Sequence, residues 1–203
     1  MGNLVGSLEV PKVLHARKRL LLELTQRQKE ISIGCILGNA YISPLGKIRI
    51  EQSTKQREYV DWKYQELHSL CYPAQPREIL HILPTGKQHT SVFFLLRQYF
   101  RAWRSIFYEG RIKIVPRDLP GSSLTLAVWY MDDGCWTGKK ALICTESFEG
   151  IYRENMQKAL MDQYGIETVV GKNGRLVIRK KSHDQFFALI TPHIIPSMKY
   201  KLP

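Results

Sequence analysis

Two apolar runs dominate the pattern of the chain. Residues 32–40, SIGCILGNA, and residues 126–134, LAVWYMDDG, are each almost continuously apolar or small, and each closes on a short polar step. Runs of this kind read as helices buried on all sides. The first carries Asn39 where the second carries Asp133. Around each run the same alternation unfolds. The pattern predicts a helix over 26–38, with Thr25 as its cap. A strand over 47–53 alternates polar and apolar residues. A helix over 56–70 carries the stripe Tyr59, Trp62, Leu67 and Leu70. Strands follow over 77–83 and 89–95, around a turn at Pro84-Thr85-Gly86, and an aromatic-rich helix covers 95–107. The second unit predicts a helix ending at Asp133, a strand over 140–145, a helix over 150–163, a hairpin of 166–170 with 175–179, and a helix over 183–191. Its hairpin turn, Gly171-Lys172-Asn173-Gly174, contains the Asn-Gly pair that favours tight β-turns.

The repeat is visible in letters as well. EQSTKQREYVDWKYQEL at 51–67 parallels TESFEGIYRENMQKAL at 145–160. Two copies suit a pseudo-dimer better than a solenoid, which needs more repeats. The expected architecture is an α/β (α+β) chain of two pseudo-symmetric αββαββα halves with antiparallel sheets. The expected boundaries are a basic N-terminal arm over 1–24, a first half over 25–117 and a second half over 118–203. A linker over 109–125 holds Pro116, Pro120 and Gly121.

Charge narrows the function. Thirty Lys and Arg against 18 Asp and Glu give the 203 residues a formal charge of +12. A folded chain with that field attracts polyanions, nucleic acid first and an acidic membrane surface second. The charge is uneven: residues 1–117 hold 19 basic against 9 acidic groups, and five basic residues crowd into 172–181. The four cysteines show no metal-ligand spacing, and Cys35 and Cys135, in or beside the two runs, read as small core residues in a reducing compartment. No apolar run reaches transmembrane length, and the first residues lack a signal-peptide pattern.

GCILGNAYI and LAVWYMDDG resemble the paired motifs of the monomeric LAGLIDADG homing endonucleases, and the C-terminal IIPSMKYKLP resembles the ending of one subgroup. The similarity spans about residues 25–203. Small residues (Gly34 and Gly38 in the first run, Ala127 and Gly134 in the second) would let two such helices pack closely enough for their C-terminal residues to meet. The resemblance implies a monomer that binds a long, asymmetric double-stranded DNA target and cleaves it with Mg²⁺, or another divalent cation such as Mn²⁺ or Ca²⁺, in intron homing. It implies a metal set of Asp133 with Asn39, Gly38 and Asp132, where Asp132 supports or caps the turn. Lys113 and Lys201 are implied as the paired lysines beside the scissile phosphates, with Gln52 and Ser147 in supporting places.

Asn39 departs from the family pattern, because an amide is a weaker and uncharged Mg²⁺ ligand. Cleavage is therefore expected to be impaired or reduced to nicking. The alternative is an RNA-binding intron maturase, or a non-cleaving DNA-binding protein on the same scaffold. The expected location is an organelle or a prokaryotic cytoplasm.

The sheets are the expected DNA surface, since a twisted antiparallel ribbon fits the major groove. In the first unit Lys47, Arg49, Glu51 and Ser53 share one face, extended by Arg77, His81, Thr85, Lys87 and Gln88. In the second unit Arg175 and Arg179 share a face, extended by Lys139, Lys140, Lys172, Lys180 and Lys181.

Overall fold

Thr25 opens the first motif helix through a capping box. Its hydroxyl accepts from the Gln28 amide at 3.2 Å, and its own amide donates to the Gln28 side chain at 3.1 Å. Such an exchange stabilises a helix start by about 1 kcal/mol. The computed structural model describes residues 23–119 and 121–203, so the expected arm lies almost wholly outside the described residues. Helix α1, Gln26–Leu37, is buried along its whole second half from Ile31 onward. Its counterpart α4, Ser123–Asp133, starts at Ser122, whose hydroxyl accepts from the Thr125 amide at 3.1 Å. Every residue from Leu124 to Asp132 is buried. The two helices form the spine of the molecule, as the apolar run that ends each of them requires.

After α1 come β1 (Tyr41–Ile42), β2 (Ile48–Ser53), helix α2 (Arg57–Leu67), β3 (Arg77–Ile82), β4 (Gln88–Leu95) and helix α3 (Arg101–Phe107). A small hairpin of β5 (Tyr108–Glu109) and β6 (Ile112–Lys113) leads to α4. Then follow β7 (Gly134–Trp136), β8 (Ala141–Ile143), α5 (Gly150–Tyr164), β9 (Thr168–Val170), β10 (Leu176–Ile178) and α6 (His183–Ile190). A 3-10 turn at Pro196–Lys201 closes the chain. The two sheets have the same order, β1-β2-β4-β3 and β7-β8-β10-β9, and every pairing is antiparallel. Two halves of identical topology are thus repeated around the helix pair.

In each sheet one face meets the helices. Ile42, Ile48, Ile50, Val92 and Phe94 are buried there in the first sheet, and Ala141, Ile143, Leu176 and Ile178 in the second. Alternation sends the remaining side chains to the opposite face. Cross-strand register groups Arg49 with Leu95, Glu51 with Phe93, Ser53 with Ser91, Arg77 with Phe93 and His81 with His89 on that outer face.

The predicted helix over 95–107 begins only at Arg101. Leu95 still belongs to β4, and the amides of Leu96 and Phe100 donate to Ile48 and Gly46 rather than to a helical turn. Gly46 at φ +79 permits that close approach; a methyl group there would lie 2.5 Å from the Arg101 amide nitrogen. The expected linker over 109–125 is not featureless, since it contains β6 and the start of α4.

Candidate active site

The motif helices touch through glycine. A methyl group at Gly34 would lie 2.7 Å from the Thr125 carbonyl oxygen and from Val128 Cβ, so only hydrogen fits. Thr125 then donates its hydroxyl to the Glu30 carbonyl at 3.1 Å, and Tyr59 donates to the Val128 carbonyl at 3.2 Å. At the far end Gly38 faces Asp132. A methyl group at Gly38 would lie 2.5 Å from both Cβ and Oδ2 of that aspartate. The two positions are equivalent in the repeat, one step before Asn39 and Asp133 respectively. Only one of them has room for a side chain.

Asp132 joins the halves. Its Oδ1 takes the Lys63 ammonium at 2.5 Å and the Gln52 amide at 2.9 Å, and its Oδ2 accepts the Asn39 backbone N–H at 3.3 Å. All three partners come from the first half. The Lys63 and Asp132 side chains are 1% and 0% exposed. Burial opposes the charge on Lys63, but Asp132 outweighs it and raises the pKa. The ammonium also sits 4.0 Å from the centre of the Tyr59 ring. Both carboxylate oxygens of Asp132 are therefore engaged in the interior. Asp132, expected within the metal set as the support or cap of the turn, holds the two motif ends in register.

Asp133 is placed differently. It is half-buried at the end of α4, one residue beyond the Asp132 carboxylate that accepts the backbone N–H of the exposed Asn39. Burial, then the neighbouring Asp132 charge, push its pKa up to about 7 against Lys113, Lys201 and Lys63. Lys113 reaches the end of α1 from β6, donating to the carbonyls of Gly38 at 2.6 Å and Ala40 at 3.2 Å. Lys201 reaches the end of α4 from the last turn, donating to the carbonyls of Met131 at 2.5 Å and Asp132 at 3.2 Å. The two lysines thus meet the equivalent carbonyls of Gly38 and Asp132, and each offsets the negative end of a helix dipole. Burial lowers both pKa values, that of Lys113 to about 8, although the nearby aspartates pull the other way. The structure brings Asn39, Asp133, Lys113, Lys201 and Gln52 together. Ser147 is exposed, while the neighbouring Thr145 is the buried polar residue of that segment.

The donors at this point are hard oxygens: the Asp133 carboxylate, the Asn39 amide and the Gly38 carbonyl. Among the described residues no group of three or more His, Cys, Asp or Glu could hold a metal by itself. Hard oxygen donors suit a hard divalent cation, whose shell water and phosphate oxygens can complete. A carboxylate whose proton is held up to about pH 7 gains from a cation beside it.

A family model described as the LAGLIDADG DNA endonuclease family matches residues 29–186. The chain belongs to that family. DNA endonuclease I-ChuI of Chlamydomonas applanata is 29% identical over 210 residues, covering 89% of this chain and 96% of that protein. Cytochrome b mRNA maturase bI2 of Saccharomyces cerevisiae is 33% identical over 102 residues, 46% of this chain and 24% of the maturase. The chain spans half or less of the length of several other curated relatives. A solved structure of the homing endonuclease I-WcaI bound to its DNA recognition sequence superposes with a TM-score of 0.79 at 25% identity, over 90% of this chain and 88% of that one.

The outer sheet faces hold much of the basic set expected from sequence. Lys47, Arg49, Ser53, Arg77 and His81 lie on the first, with Thr85 and Lys87 at its hairpin tip. Arg175 and Arg179 flank β10; Lys139, Lys140 and Lys172 occupy turns, and Lys180 and Lys181 the 3-10 turn before α6. Two placements differ. Gln88 pairs with Ile82 and falls on the opposite face from His81, because register alternates strictly by two. Glu51 is engaged within the protein, by Arg49 and Ser91 and by His81 at 2.6 Å. Among the described residues no helix is long and apolar enough to cross a membrane.

Proposed function

We propose that the chain binds a long, asymmetric DNA duplex across its two sheets, and that its helix-end site hydrolyses phosphodiesters with a divalent cation, Mg²⁺ first and Mn²⁺ or Ca²⁺ as alternatives. The observation that carries this reading is the pair of motif ends held together by Asp132, with Asp133, Lys113 and Lys201 around them. Asp133, Asn39 and the Gly38 carbonyl would hold the ion, which when bound activates water and stabilises the leaving oxygen. Lys113 and Lys201 place positive charge beside the phosphate. Lys113, with its pKa near 8, exchanges a proton close to neutrality. The working unit is one monomer of two halves, 25–117 and 118–203.

Asn39 leaves one half of the site without a carboxylate, so cleavage is slow or confined to one strand. The test uses supercoiled plasmid carrying the uninterrupted locus that flanks the gene. The chain with Mg²⁺ yields intact or nicked circles, and Asn39→Asp yields linear DNA. Equal linearisation rates for the two proteins overturn the claim for Asn39. Similarity to a protein named as an mRNA maturase supports a second reading, binding of intron RNA. Tight RNA binding without site-specific DNA binding would favour it.

A further inference from the structure

Two arginines on the outer faces are held in an unusual way for residues of a basic surface. Arg49 lies on β2, an interior strand of its sheet. Its Nε donates to Glu51 Oε2 at 2.6 Å, and its guanidinium stacks on Phe93 with 3.9 Å to the ring centre. Glu51 is itself fixed by Ser91 on β4 and by His81 on β3. Burial opposes its ionisation, but the bonds from Ser91, Arg49 and His81 lower its pKa. Arg175, leading into the interior strand β10, repeats the device, with its Nε donating to Glu146 just after the interior strand β8. Each half thus carries an outward arginine whose Nε is hydrogen-bonded to a carboxylate.

A clamped arginine contributes little to holding phosphates. The carboxylate cancels its charge and repels a nearby phosphate, whereas the exposed lysines at the sheet turns suit that role. What remains is geometry. Nε is occupied, so the two Nη atoms point outward as a two-pronged donor, and for Arg49 the stacking on Phe93 sets its plane. Guanine offers two adjacent acceptors, O6 and N7, in the major groove; adenine replaces one of them with a donor. Arg49 projects from the interior strand β2, and Arg175 closes the turn that leads into the interior strand β10.

We propose that Arg49 and Arg175 each read one guanine in the major groove, one in each half of the target, and that Glu51 and Glu146 are the positioning residues that make them readers. This rests on the DNA-binding reading above. The test selects duplexes from a randomised pool with the intact chain, in EDTA at fixed salt, and then measures affinities for single-base variants. The unaltered protein should demand guanine at one position in each half, with about a tenfold to hundredfold loss on replacement. Arg49→Ala should erase the demand in one half and Arg175→Ala in the other. Arg49→Lys, which keeps the charge but loses the planar fork and the Nε clamp, should weaken it. Glu51→Gln should relax it while overall affinity holds or rises. The proposal is overturned if Arg49→Ala weakens all duplexes alike and lowers the salt dependence by about one counterion, the mark of a phosphate contact. It is also overturned if selected sites lack those guanines. A pool yielding no preferred duplex at all would instead remove the DNA-binding reading, and this inference with it.

Discussion

Replacing Asp133 by asparagine should make the metal-free protein more stable, by an amount that depends on pH. In the folded chain burial and the Asp132 charge raise the Asp133 pKa from 3.8 to about 7, against the pull of three lysines. An unfolded chain releases that proton near 3.8. Between the two values the folded state binds more protons than the unfolded one. The stabilising effect of this group is therefore complete below about pH 4, declines as pH rises, and is lost above about pH 7. A rise of roughly three in pKa, at about 1.4 kcal/mol each, amounts to about 4 kcal/mol. Asparagine has no proton to lose. Urea unfolding in EDTA should therefore show Asp133→Asn more stable by about 1.5 kcal/mol at pH 5 and by about 4 kcal/mol at pH 8. The same variant should lose metal-dependent strand cleavage. A gap that is constant across pH, or a variant less stable than the parent at pH 8, would refute the argument that Asp133 is an aspartate held against its own burial.

Three further outcomes follow from the same geometry. Lys63→Met strands a buried carboxylate and should lower stability by about 3–5 kcal/mol in urea unfolding, whereas adding Asp132→Asn should recover most of the loss. Gly38→Ala forces a methyl group against Asp132; a loss of about 1–3 kcal/mol in the same assay, with cleavage falling alongside, is expected. Lys113→Met and Lys201→Met should each slow cleavage by Asn39→Asp protein at least about a hundredfold while gel-shift affinity for the target changes little.

The motif helices were legible because burial on all sides leaves an unmistakable apolar run. Their meeting was legible from Gly34 and Gly38, since close packing needs small residues. The half-topology was legible where periodicity persisted over several residues. It was lost at β1, which has two residues, at β7, which starts inside the second apolar run at Gly134, and at 95–107, where strand β4 runs into a loop as apolar as a helix. Lys63 was missed although a signal existed. It lies four residues after Tyr59 and four before Leu67, in the middle of the buried stripe of α2, where a lysine demands a partner. The supporting place of Asp132 is legible from its step before Asp133; its partners Lys63 and Gln52 are not, because they lie 69 and 80 residues away in the chain. Only the fold shows that one faces the interior and its neighbour the site. Gln88 takes the other face because odd-numbered positions keep the outer face on both sides of the turn.

The contact between Gly38 and Asp132 also bears on how such a chain diverges. The two positions are the same residue in two copies of one unit, yet they cannot be occupied alike. Aspartate at both would press two carboxylates into space for one, and glycine at both would strand Lys63 and Gln52 without their acceptor. A segment copied from one half into the other would carry the wrong member of the pair. The joint therefore acts as a key: the halves are no longer interchangeable parts. Drift in one of them is answerable to the other at this point, even where their topologies remain the same.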